Sequence, residues 1–175
     1  MMKSALFPQV AEVDIAPLSA TDLDLVQLLS LAHDPKAGAV VLFSGEVRDN
    51  SAGKTVDYLD YEAHESMASK MICSIVEEAA KRWHLTKALA QHRTGKVMAG
   101  ESAVVVITCS PHRKEAYAAN RYIIDRIKHE APIWKCEYFT DGTKEWGGNC
   151  SCQKLLAMPI NTFMNLRVSF FFLIS

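Results

Sequence analysis

Apolar residues along this chain recur with two different periods, and the changes of period divide it into elements. From Ser66 to Trp83 the positions Met67, Met71, Ile72, Ile75, Val76, Ala79, Ala80 and Trp83 fall in one stripe at helical spacing. That pattern predicts an amphipathic helix capped by Ser66 and packed on a core. A second helix is predicted from Arg113 to Glu130, with Ala116, Ala119 or Asn120, Ile123, Ile124 and Ile127 inward. Pro132 stops it, because proline cannot donate the helical hydrogen bond and disfavours helix at the preceding residue. A shorter helix, capped by Thr21, is expected from Leu23, Val26, Leu28 and Leu29 and ends near Asp34-Pro35.

Between these helices the period shortens. Ala39–Val47 (AVVLFSGEV) and Ser102–Cys109 (SAVVVITC) are short, β-branched apolar runs of the kind that form buried strands. Thr55–Ala63, Lys87–Thr94 and Ile133–Phe139 are predicted as three more strands. Asp49-Asn50-Ser51-Ala52-Gly53 carries turn chemistry, and a turn containing Gly95 and Gly100 separates two of the strands. No repeat, linker or low-complexity block interrupts the series. The expectation is one α+β domain with two main helices, over residues 1–154 with its core at about 38–150.

Composition narrows the class. The 175 residues are 49% hydrophobic and 22% charged, with a formal net charge of -1. These values are ordinary for a soluble globular protein, and no global basic field exists to hold nucleic acid. Anion binding would have to come from a local cluster of cations. The first eighteen residues lack the unbroken apolar core of a secretory signal and the arginine bias of a transit peptide. The five cysteines, Cys73, Cys109, Cys136, Cys150 and Cys152, are odd in number and form no CxxC pair, which argues for reduced thiols in the cytosol. The tail 155–175 is apolar but broken by Pro159, Asn161, Asn165 and Arg167, and falls short of the about 20 continuous apolar residues of a membrane span. No function is assigned to it.

Chemistry is concentrated between Ser110 and Glu137. Ser110-Pro111-His112-Arg113 ends a strand and opens a helix, where free amides and a planar guanidinium favour an anion such as phosphate. The same four residues also read as a solvated turn. Lys128, in the last turn of the second helix, is favoured there by the helix dipole whatever its role. Lys135 is less easily explained as decoration, since it lies in a half-buried strand beside Trp134. Burial would suit it to proton transfer or to stabilising a charged intermediate. Glu137 faces the same way by strand alternation and could orient it. Arg48 sits at a strand end and gains weight only if the fold brings it near the other cations. Cys136 is an alternative nucleophile or persulfide carrier, if Lys135 lowers its pKa. Cys150-x-Cys152 without a second pair is a poor zinc signal, and no Walker loop, GxGxxG, HExxH or serine elbow is present. No metal or cofactor is expected.

Several stretches resemble the large, catalytic subunit of molybdopterin synthase. They are Phe43-Ser44-Gly45-Glu46-Val47-Arg48, Tyr61-Glu62-Ala63 with Met67-Ala68, Arg82-Trp83, His92-Arg93-Thr94-Gly95 and Gly100-Glu101. His112-Arg113, Asp125-x-x-Lys128 and Ala131-Pro132-Ile133-Trp134-Lys135-x-Glu137 follow, then Asp141-Gly142 and Trp146. The matches run in the family's order over about residues 38–150, and the last block with His112-Arg113 and Lys128 is the most specific. Three departures stand out. Cys136 occupies a position that is usually basic, His64 replaces a common aromatic, and the match fades past Trp146.

The resemblance implies an α/β-hammerhead fold with an antiparallel or mixed sheet. It implies a sulfurtransferase of molybdenum cofactor biosynthesis that adds two sulfurs to cyclic pyranopterin monophosphate. The sulfur donor would be the C-terminal thiocarboxylate of a small ubiquitin-like partner subunit, in a heterotetramer built around a dimer of large subunits. The family's substrate-binding positions fall on Glu46, Val47, Arg48, His112, Arg113, Lys128, Lys135, Cys136 and Glu137. Lys128 and Lys135 are expected to serve the sulfur-transfer chemistry, with Arg113, Arg48 and His112 holding phosphate and pterin. Two other readings remain: a non-catalytic adaptor that keeps the partner groove, and a persulfide carrier using Cys136.

Overall fold

The run Ser102–Ser110 forms a strand whose last eight residues are all buried, because both faces of its sheet are covered. The computed structural model describes residues 15–147. Cys150, Cys152 and the tail therefore lie outside the described residues.

In chain order the elements are β1 (Leu18–Ser19), α1 (Leu25–Ala32), β2 (Ala39–Glu46), β3 (Asn50–Ser51), β4 (Lys54–Ala63) and α2 (Glu65–Arg82). They continue with β5 (Lys87–Arg93), β6 (Gly95–Met98), β7 (Ser102–Ser110), α3 (Arg113–Glu130), β8 (Ile133–Phe139) and β9 (Lys144–Gly147). The first sheet has the order β1-β5-β7-β2, and only its β1–β5 pair is parallel. On one face Ile72 and Ile75 of α2 and Ile123, Ile124 and Ile127 of α3 pack against Ala90, Val104 and Val106. On the other, Leu28 and Ala32 of α1 meet Leu89, Val105, Ile107 and Cys109. Burying both faces accounts for the near-continuous apolar run of β7. The second sheet runs β3-β4-β8-β9, with β6 also paired to β4, and is antiparallel throughout. Val56, Leu59, Val97 and Phe139 from it pack on Val47 and Ala103 at the junction of the sheets. The architecture is α+β with one mixed and one antiparallel sheet, as expected.

Local differences from the sequence reading have physical causes. Asp24, not Thr21, caps α1 by accepting from the Gln27 amide at 2.9 Å. That starts the helix later and leaves Val26 80% exposed while Leu28 is buried. His64 rather than Ser66 caps α2, its Nδ1 accepting from the Met67 amide at 3.4 Å. The inward position of the first turn is accordingly Ala68, and Met67 is exposed. The turn expected between Gly95 and Gly100 contains strand β6, and Asp49–Gly53 contains β3 before the two-residue turn Ala52-Gly53. Both Ala119 and Asn120 are buried in α3. The Asn120 amide donates to the Val41 and Val106 carbonyls at 3.1 and 3.0 Å, tying α3 to the sheet.

Candidate functional site

Strand β2 runs antiparallel to β7 until a register shift between Gly45 and Glu46 bends it away. A glycine is required just before the bend: a Cβ on Gly45 would lie 2.7 Å from Val104 Cγ1. Past it, the Val47 amide donates to the Glu101 carbonyl at 3.0 Å and the Gly100 amide to the Val47 carbonyl at 2.7 Å. These bonds fix Glu46-Val47-Arg48 at the junction of the two sheets. Tyr61 of β4 stands opposite Lys135 of β8 in register, and Leu59 opposite Glu137. The last turn of α3 adds Ile127 and Lys128.

Together these residues wall a cavity of about 180 Å³, with Arg48, Lys128 and Lys135 as its cations and Glu46 and Glu137 as its carboxylates. Lys135 Nζ donates to Glu137 Oε1 at 2.8 Å, and both side chains are largely buried. Burial pushes the Glu137 carboxyl up, but the hydrogen bonds from Lys135 and Ser51 and the charges of Lys135 and Arg48 outweigh it and hold it below its ordinary value. Glu137 is thus an ionised acceptor that fixes the Lys135 ammonium. Gly147 of β9, opposite Lys135, makes room for it: a Cβ there would lie 2.6 Å from Lys135 Cε. Lys128 Nζ stands 5.9 Å from the centre of the Phe43 ring. The Tyr61 phenol is pushed up to about 12 by burial and by the Glu137 charge, so it stays protonated.

Six of the nine residues picked from the sequence line this cavity: Glu46, Val47, Arg48, Lys128, Lys135 and Glu137. His112 and Arg113 do not. They sit exposed at the start of α3, fifteen residues from Lys128, which at 1.5 Å per residue is about 22 Å along the helix. The segment Ser110–Glu137 is therefore not one pocket within one chain. Cys136 faces the opposite side of β8 from Lys135 and Glu137 and is 1% exposed. Its thiol is pushed up by burial, reinforced by Asp60 and Glu62, against the smaller opposing effects of Lys144 and Tyr138. The lowered pKa that a persulfide carrier would need is not found.

His92, Tyr61 and Ser51 were not singled out from the sequence as site residues, and they line the cavity as well. His92 and Tyr61 lie in family-like stretches, but no spacing rule marks them, because their strands meet only through tertiary pairing. Among the described residues no cluster of His, Cys, Asp and Glu could hold a metal ion, and no helix is long and apolar enough to cross a membrane.

Residues 18–130 match the family model described as MoaE protein. The molybdopterin synthase catalytic subunit of Nostoc sp. (strain PCC 7120 / SAG 25.82 / UTEX 2576) is 37% identical over 161 residues, which cover 87% of this chain and 97% of that protein. The crystal structure of molybdopterin synthase from Staphylococcus aureus aligns with a TM-score of 0.71 at 36% identity, covering 75% of this chain and 96% of that one. A complex of subunits 1 and 2 of molybdopterin-converting factor from Helicobacter pylori 26695 shares the fold, with a TM-score of 0.63 at 23% identity over 74% of this chain and 88% of that one.

Proposed function

The chain belongs to the MoaE protein family, and from that premise we propose that it is the catalytic subunit of a molybdopterin synthase. It transfers two sulfurs from a thiocarboxylated small subunit to cyclic pyranopterin monophosphate. The observation that carries this reading is the meeting of Arg48, Lys128 and Lys135 in one cavity. A substrate phosphate and a thiocarboxylate are both anions, and bringing them together requires fixed positive charge. Lys135 is held by Glu137 and Lys128 stands at the end of α3, so both act on the transferring sulfur while Arg48 steadies the phosphate.

His112 and Arg113 belong to the same reading only if a second copy supplies them, since about 22 Å of helix separates Arg113 from Lys128 in one chain. The assembly we propose is therefore a dimer of this subunit, each copy lending the start of α3 to the other's cavity, with one small subunit per copy. A cytosolic location is part of the proposal, and the free thiols of Cys73, Cys109 and Cys136 are compatible with it.

Reconstitution with the thiocarboxylated small subunit and the pterin precursor tests the function, read as dithiolene formed. Product is expected. A complex that binds the small subunit and forms none would make the protein an adaptor.

A further inference from the structure

His92 is the one buried titratable side chain in the cavity wall to which the reading above gives no role. On β5 it follows Ala90 on the face covered by α2 and α3, but lies beyond the apolar core, where the cavity begins. The residue is only 8% exposed, and its ring meets Tyr61 edge-on, with centroids 5.0 Å apart. Its Nδ1 lies 2.7 Å from the carbonyl oxygen of Arg93.

That last contact fixes the chemistry of the ring. A carbonyl oxygen only accepts, so Nδ1 must carry the proton and donate. Burial, with a smaller push from the Lys128 charge, lowers the imidazole to about 4 against the pull of the Arg93 carbonyl, so the ring is neutral near pH 7. A neutral ring protonated at Nδ1 has a bare lone pair at Nε2. Among the described residues no donor engages that nitrogen. Glu46 and Asn50 also offer acceptor oxygens to the cavity, but both are exposed where His92 is buried. Arg48, Lys128 and Lys135 are donors only, and Glu137 already accepts from Lys135 and Ser51.

We propose that His92 is a positioning residue whose Nε2 accepts a hydrogen bond from a ring or exocyclic N–H of the pterin. It thereby sets the heterocycle's orientation while the cations hold the phosphate. The inference rests on the proposed substrate. Phosphate and thiocarboxylate present only acceptors to the cavity, whereas a pterin also presents N–H donors, and a neutral acceptor can receive them without attracting a cation.

Three variants separate this role from a structural one. His92→Asn keeps a donor for the Arg93 carbonyl and loses the acceptor at the Nε2 position. His92→Gln carries an amide oxygen near that position, and His92→Phe keeps the ring volume against Tyr61. KM for the pterin precursor should rise about tenfold in the Asn and Phe variants, the size of one lost hydrogen bond, with partial recovery in Gln. KM for the small subunit should not move. Unchanged pterin KM in a folded Asn variant would overturn the proposal. If the variants do not fold, ¹⁵N spectra of the wild-type ring decide. Adding the precursor should shift Nε2 and leave Nδ1 in place, and a silent Nε2 overturns the assignment. Wild-type protein that makes no dithiolene but shifts Nε2 on precursor binding would fault the reaction assignment and keep the pterin contact.

Discussion

At its C-terminal end helix α3 delivers Lys128 to a walled cavity, and at its N-terminal end it holds His112 and Arg113 in the open. The residue types at the two ends are similar, but their surroundings are not. Around Lys128 stand an aromatic ring, a second lysine locked to a carboxylate, and the neutral His92. Among the described residues Arg113 is exposed, and His112 makes no side-chain capping bond. Lys128 is itself exposed, as Arg113 is; what distinguishes its end of the helix is the neighbouring Lys135, whose half-buried charge is screened less by salt than an exposed one. The lesson is that the C-terminal end is a site in itself. The N-terminal end becomes one only against another surface.

The largest effect should come from breaking the walled end. Lys135→Ala and Lys128→Ala should each lower dithiolene turnover by about 100-fold, the cost of removing one preorganised charge. The melting temperature should stay close to wild type in Lys128→Ala and fall modestly in Lys135→Ala, which leaves the Glu137 carboxylate without its ion-pair partner. Full rates in both would remove the cavity from the mechanism.

The next effect tests the exposed end. Arg113→Ala alone should lower turnover by about tenfold, as for one lost charged hydrogen bond. Mixing Arg113→Ala with Lys135→Ala subunits should then restore part of the activity, because a mixed dimer contains one site with both residues intact. A mixture no better than its components would contradict sharing between copies. A smaller loss is expected from Gly147→Ala, whose new Cβ would displace the Lys135 stem from 2.6 Å. Turnover should fall while small-subunit binding is kept.

How much of this was legible in the sequence differs between the same two regions. Helix α3 and strand β8 were found with the bounds the structure has, because their apolar periods are long and Pro132 separates them. Lys135 and Glu137 were placed on one side of β8 by alternation alone. The same alternation sends Cys136 the other way, although the family resemblance groups it with the substrate-binding positions. Short elements were less visible. Strands β3, β6 and β9 owe their form to pairing with β4 and β8, and nothing in two to four residues announces a partner. His92 was illegible for a related reason: its meeting with Tyr61 depends on how the two sheets join.

Two finer effects sharpen the contrast across β8. Cys136→Ser should leave turnover within about twofold and cost about 1–2 kcal/mol of stability, from a hydroxyl buried in place of a thiol. A collapse of activity at full stability would revive the carrier. On the other face, Glu137 has a carboxyl held below its ordinary value. Its stabilising contribution is therefore full above the unfolded-chain value of about 4.3 and is lost as pH falls through the lower folded value. The gap in urea midpoint between wild type and Glu137→Gln should be widest at neutral pH and close in acid. A gap independent of pH would mean the charge is not what Glu137 contributes.

The central claim is that the cavity joining Arg48, Lys128 and Lys135 is where sulfur meets the pterin. Its most direct test is a single-turnover reaction of the preformed complex with the thiocarboxylated small subunit, comparing wild type with Lys135→Ala at saturating pterin precursor. The account predicts that both bind the small subunit equally and that only the wild type passes the thiocarboxylate sulfur to the pterin at full rate, leaving the small subunit's tail as a carboxylate. Equal rates would place the chemistry elsewhere.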